Sequence, residues 1–220
     1  MEPPFRTRVK ICCISSLEEA RLAIRFGADA LGLVGQMPSG PGVVSDDVAA
    51  EIAGMTPPPV ATFMLTSEST VGGIIAHQQR VGANTIQLVD TVPAGTYAQL
   101  RAALPAIKLV QVIHIIDERS IDEALQAVEL GVDTLLLDSG NPTLAIKELG
   151  GTGRVHNWQV SRQIVVQSRV PVFLAGGLNP ENVQEALDTV QPYGLDICSG
   201  VRTNGHLNAH KLEAFMQLVR

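Results

Sequence analysis

Val170-Pro171-Val172-Phe173-Leu174 is a short, continuously apolar run, and Ala175-Gly176-Gly177-Leu178-Asn179-Pro180-Glu181-Asn182 follows it. The run reads as a buried strand, and the spacing predicts a helix from Pro180 to Val190. Adjacent glycines let the backbone turn sharply and let a ligand approach bare amides. Asn179 is a helix-capping residue type with proline behind it at the first helical position. A helix N-terminus with exposed N–H groups attracts anions, phosphate above all. A single strand, Gly-Gly and helix is no more than a tight βα turn; the remainder of the chain gives it weight.

The same unit recurs from end to end. Apolar strands are expected at 8–13, 28–34, 59–65, 84–89, 108–114, 133–138, 170–174 and 195–198. Helices are expected between and after them, at about 16–27, 45–54, 70–81, 94–104, 118–130, 157–167, 180–190 and 208–219. Ser16 and Glu19 form a capping-box pattern at the first. Strands apolar on both faces belong to parallel sheets, and right-handed βαβ crossovers then follow. Eight units in 220 residues predict a closed (β/α)₈ TIM barrel, an α/β fold occupying 1–220 as one domain. An open doubly wound sheet would need fewer units or a longer chain, and a glycine-rich first turn where this chain has Cys12-Cys13-Ile14-Ser15. A faint repeat runs through the even strands. Gly27-Ala28-Asp29, Gly82-Ala83-Asn84, Gly131-Val132-Asp133 and Gly194-Leu195-Asp196 each read as a helix-closing glycine and a polar residue at strand entry.

Composition narrows the function. A net charge of −6 without a basic cluster argues against nucleic acid. No apolar run approaches membrane-spanning length and the N-terminal residues lack an apolar signal core, so neither membrane nor export is expected. Three cysteines, Cys12, Cys13 and Cys198, imply free thiols in a reducing, cytoplasmic setting.

A TIM barrel carries its site at the C-terminal ends of the strands. Glycine loops stand there after strands six, seven and eight: Gly151-Thr152-Gly153, Gly176-Gly177 and Ser199-Gly200. The last two fall where this fold usually holds phosphate. Arg202 adds either a charge-assisted contact or a solvated surface arginine. Asp138 ends strand six after three leucines, and a buried carboxylate needs a partner or a task. Cys12 or Cys13 points inward by strand alternation. A thiol and a carboxyl across one site form a candidate base and acid. Gln87 and His114 stand at the ends of strands four and five. No metal-ligand set and no nucleophile elbow is present in the sequence, and no cofactor is expected.

The chain resembles the phosphoribosylanthranilate isomerase family. The resemblance rests on Lys10-Ile11-Cys12, Gly27-Ala28-Asp29-Ala30-Leu31-Gly32, Leu135 to Asp138, Gly150 to Gly153, Leu174 to Val183, Pro192 to Asp196 and Ser199-Gly200-Val201. It implies an Amadori rearrangement of an aminoaldose phosphate in tryptophan biosynthesis, with Asp138 as general acid and Cys12 as general base. It implies phosphate on Gly176-Gly177, Ser199-Gly200 and the Gly151-Thr152-Gly153 loop, and a monomer or homodimer. Cys13 stands where the family has glycine, Gly42 where it has an arginine for the anthranilate carboxylate, Val89 where it has histidine, and Arg202 where it has glutamate. Lys10, Gln87, His114 and Arg202 are therefore the candidates for the rebuilt end of the substrate site. Another phosphosugar conjugate, or a non-catalytic barrel binding a phosphorylated metabolite, is the alternative.

Overall fold

The computed structural model describes residues 6–219; residues 1–5 and 220, part of the expected 1–220 domain, lie outside the described residues. Eight parallel strands close in sequence order into a barrel: β1 (Arg8–Ile11), β2 (Ala30–Val34), β3 (Ala61–Thr66), β4 (Thr85–Leu88), β5 (Lys108–His114), β6 (Thr134–Asp138), β7 (Val172–Leu174) and β8 (Gly194–Ile197). The seam pairs β8 with β1, Ile197 opposite Ile11. The helices are α1 (Leu17–Arg25), α2 (Asp46–Met55), α3 (Val71–Val81), α4 (Thr96–Ala103), α5 (Arg119–Glu129), α6 (Trp158–Gln167), α7 (Val183–Val190) and α8 (Ala209–Leu218). None of the described helices is long and apolar enough to cross a membrane.

Strand alternation divides the core in two. Leu31, Leu33, Met64, Ile86, Ile113, Leu135 and Leu137 face outward and pack beneath the helices. Ala30, Phe63, Val110, Val112, Leu136 and Phe173 fill the barrel itself. Phe63 and Phe173 meet edge to face at 6.0 Å. The helices start where side chains supply the missing acceptors: Ser16, Ser45, Thr70, Asn157 and Asn208 each take an N–H from the first turn.

The repeated polar residue at the even strands is more than a turn former. Asp29 accepts the N–H of Val9, Asn84 that of Thr62 and Asp133 that of Leu109, at 2.9, 3.0 and 2.8 Å. Each clamps the amide of the second residue of the preceding odd strand along the lower rim. The fourth member departs from the expectation. Gly194 is already in β8, and Asp196 lies inside the barrel rather than at strand entry.

The helix after β7 also begins later than expected. Asn179 Oδ1 accepts the N–H of Glu181 and of Asn182, so it closes a turn over 180–182, and α7 starts at Val183. This Asx turn competes with the first helical turn and wins. The long loop 139–156 is pinned by a bridge between Asn141 and Glu148. After β8 come a 3₁₀ turn (Ser199–Val201) and a two-stranded hairpin of β9 (Arg202–Thr203) and β10 (His206–Leu207), neither of which the apolar pattern signals.

Candidate active site

At the upper mouth of the barrel an open cleft gathers Cys12, Asp138 and the three glycine loops. Gly151, Thr152, Gly153, Gly176, Gly177, Ser199 and Gln87 all line it. Asp138 comes up on β6 and Cys12 follows β1, both buried. Asp138 Oδ1 accepts the Ser139 N–H at 2.7 Å, which fixes the carboxyl, and Ser139 Oγ pairs with Thr152 Oγ1 at 2.7 Å, which ties the β6 end to the glycine loop. A side chain at Gly150 would stand 2.6 Å from Asp138 Oδ2, so the glycine leaves the acid room.

The glycine loops interlock. Gly176 and Gly177 lie in the left-handed region, φ 84° and 64°. A Cβ on Gly177 would come within 2.7 Å of the Arg154 carbonyl carbon, and one on Gly200 within 2.1 Å of Leu178 O. Among the described residues nothing accepts the N–H groups of Gly176 and Gly177. Gly200 itself packs behind the cleft against Leu178 instead of lining it. Behind Gly176 stands His156, its Nε2 paired with Ser161 Oγ at 2.8 Å. Burial pushes its pKa down to about 4, against the opposing pull of Asp138.

Under the site lies a buried ion pair. Lys10 Nζ sits 2.9 Å from both carboxylate oxygens of Asp196, and 5.5 Å from the Phe63 ring centre. Burial opposes the ammonium, but Asp196 and the sulfur of Cys12 outweigh it and hold Lys10 above its ordinary pKa. The same burial raises Asp196, partly offset by Lys10. The symmetric, bidentate contact favours the charged pair. Lys10 is therefore a buried support beneath Cys12, whereas the sequence alone suggests a substrate contact.

Two further candidates are displaced from the cleft. His114 Nε2 bonds Val89 O at 2.9 Å and its ring packs beneath Gly140. Arg202 turns away and bonds Glu19 at 2.8 and 3.0 Å and the carbonyl oxygens of Cys12 and Cys13. Burial would raise the Glu19 carboxyl, but Arg202 and the amides of Leu207 and Ser15 pull it below its usual value. Glu19 thus serves Arg202 and the Ser15 N–H rather than the N–H of its own cap residue.

Both vicinal cysteines line the cleft, which strand alternation alone does not allow. The strand stops at Ile11, and Cys13 adopts φ 61°, so its side chain swings back to the mouth. Its sulfur lies 2.6 Å from that of Cys198 and 3.7 Å from Pro41 O. The β2 loop then folds over it: a Cβ on Gly42 would meet the Cys13 Cβ at 2.4 Å. Met37, Ser39, Gly40 and Pro41 from that loop, and Leu149, complete the wall. No lysine, arginine or histidine among the described residues lines the cleft.

A family model described as N-(5'-phosphoribosyl)anthranilate (PRA) isomerase matches residues 9–218. The chain belongs to the N-(5'-phosphoribosyl)anthranilate isomerase family.

It is 36% identical to the isomerase of that name from Methanosarcina acetivorans, over 98% of this chain and 94% of the relative. The solved N-(5'-phosphoribosyl)anthranilate isomerase from Pyrococcus furiosus superimposes with a TM-score of 0.81 at 26% identity, covering 97% of this chain and 98% of that one. A second solved isomerase, in complex with reduced 1-(o-carboxyphenylamino)-1-deoxyribulose 5-phosphate, superimposes at 0.78 with 28% identity, covering 97% and 98%. The chain is an aldose–ketose isomerase of the Amadori type in tryptophan biosynthesis. The cleft brings together Cys12, Asp138 and the glycine loops that carry the resemblance.

Proposed function

We propose that the chain rearranges N-(5'-phosphoribosyl)anthranilate, with Cys12 as the general base and Asp138 as the general acid. The reading rests on one observation, that Cys12 and Asp138 line a single cleft with the Gly176-Gly177 turn. The phosphate sits on the N–H groups of Gly176 and Gly177, beside Thr152, Gly153 and Ser199. That anchors the sugar between the two reacting groups. Asp138 donates its proton to the furanose ring oxygen as the ring C–O bond breaks, leaving a Schiff base. Cys12 takes the proton from the second sugar carbon, giving an enolamine, which tautomerises to the aminoketose. Positioned proton transfer of this kind contributes about 10²–10⁴-fold. The apolar wall of Met37, Pro41, Leu65, Val89 and Leu149 takes the aromatic ring.

Purified Cys12→Ala and Asp138→Asn should each lose at least about 100-fold in kcat, and neither should restore growth to a tryptophan auxotroph lacking the isomerase, while the wild type does. Wild-type-like turnover by either variant would overturn the assignment. The cation-free cleft favours a second reading, in which the N-substituent carries no carboxylate. Comparing kcat/KM for the anthranilate conjugate and the corresponding aniline conjugate decides it. A preference for the aniline conjugate would establish the second reading, and a preference for anthranilate would remove it.

A further inference from the structure

Cys13 and Cys198 have no part in the proton transfers, yet their sulfurs stand in direct contact. They arrive from opposite sides of the barrel seam. Ile11 pairs with Ile197, the Cys12 N–H donates to Ile197 O, and the chain past each paired residue leads to one of the two thiols. The left-handed turn at Cys13 brings its sulfur to 2.6 Å from that of Cys198, inside the ordinary contact distance of two sulfur atoms. Both line the open cleft, and Cys198 is the less buried. Small solutes that enter the cleft therefore reach them.

We propose that Cys13 and Cys198 form a thiol–disulfide modification site, closed by low-molecular-weight disulfides such as oxidised glutathione and reopened by thiols.

The chemistry around the pair supports a defined order of events. Cys13 holds its proton, raised by its contacts with Cys12 and Cys198 and by burial. Cys198 gives its proton up more readily than an ordinary cysteine, through its contact with Cys13 and the nearby Arg202 guanidinium, against the opposing effects of burial and of the Asp196 carboxylate. A partly exposed thiol with a guanidinium near it is a setting in which thiolates react. The Cys198 thiolate attacks one sulfur of glutathione disulfide, forming a mixed disulfide and expelling one glutathione thiolate. The Cys13 sulfur then attacks Cys198, its proton leaves, and the second glutathione departs. Two protein thiols lose two electrons and two protons in total, and one glutathione disulfide becomes two glutathione molecules. The Cys13 S–H that points at Pro41 O is consumed, so the β2 loop loses that tie.

The test is mass spectrometry of the whole protein and of its non-reduced peptides after incubation with oxidised glutathione. The expected result is a loss of two hydrogens, a peptide joining Cys13 to Cys198, and full reversal by dithiothreitol. Cys13→Ser and Cys198→Ser should each abolish the loss, and Cys13→Gly, which suits the left-handed backbone, guards against a folding defect in the serine variant. No cross-link, a cross-link through Cys12, or a loss of two hydrogens that persists in Cys198→Ser would each overturn the proposal. In the wild type kcat/KM should fall severalfold in step with cross-linking and recover on reduction. Unchanged kcat/KM in the fully cross-linked protein would refute the link to the β2 loop.

Discussion

Replacing Gly42 by alanine should destabilise the barrel far more when Cys13 is present than when it is absent. Gly42 lies at φ 83°, where an added Cβ costs about 1–2 kcal/mol. That Cβ would also stand 2.4 Å from the Cys13 Cβ, 2.9 Å from its Cα and 3.0 Å from its sulfur. Forcing atoms into an occupied space of this kind typically costs about 1–3 kcal/mol. Gly42→Ala in the wild-type chain should therefore cost roughly 2–5 kcal/mol. In a Cys13→Gly chain the shortest contact disappears and only the approach to the Cα remains. The backbone penalty then dominates, at roughly 1–3 kcal/mol. The coupling between the two sites is the difference, about 1–2 kcal/mol, in the range found for side chains in direct contact. Urea unfolding of the wild type, both single variants and the double variant, under reducing conditions, measures it directly. If the two single costs add to within about 0.5 kcal/mol, Cys13 and Gly42 do not fill one another's space and the reasoning is wrong. The same geometry says why an arginine at position 42 is incompatible with a cysteine at 13.

Two other perturbations follow from buried charge. Lys10→Met leaves Asp196 without its counterion and should cost about 3–5 kcal/mol, whereas Lys10→Met combined with Asp196→Leu should recover much of that; thermal or urea unfolding reads both, and equal losses in the two chains would show that the pair does not interact as described. His156 should make stability fall as pH drops. Between about pH 6.5 and 4 the unfolded chain binds a proton there that the native chain refuses. The contribution is present above the unfolded pKa, shrinks as pH falls through this window, and amounts to roughly 3 kcal/mol across it. His156→Gln should flatten the stability profile over that range, and an unchanged difference between variant and wild type from pH 7 to 4 would count against it.

The barrel was legible because its signal is additive. Each βα unit is weak alone, but eight of them with doubly apolar strands admit few other closures, and the strand limits deviate by only a few residues. Cys12, Asp138, Gln87 and the glycine loops were legible for the same reason, since strand ends map onto one rim. What the sequence concealed depends on local backbone. Nothing in Cys12-Cys13 announces a left-handed residue, so alternation offers one cysteine where both face the cleft. Arg202 and Glu19 are 183 residues apart and meet only because the seam brings β8 beside β1. Asp196 fits the pattern of a strand-entry residue, and only the register of β8 shows it paired with Lys10. Asn179 has the composition of a helix cap and spends its oxygen on a turn instead.

The side-chain clamps of Asp29, Asn84 and Asp133 bear on how such a barrel tolerates change. They fasten β1, β3 and β5 to their next neighbours from below, by contacts that involve no residue of the cleft. A strand held at an amide near its start cannot slide, since a one-residue slip would reverse which side chains point inward. Alterations at the other end, such as a change at Cys13 or Gly42, then stay local. The closed rim acts as a fixed datum for the open one, so the loops of the substrate site are free to vary while the strands that carry Cys12 and Asp138 keep their heights.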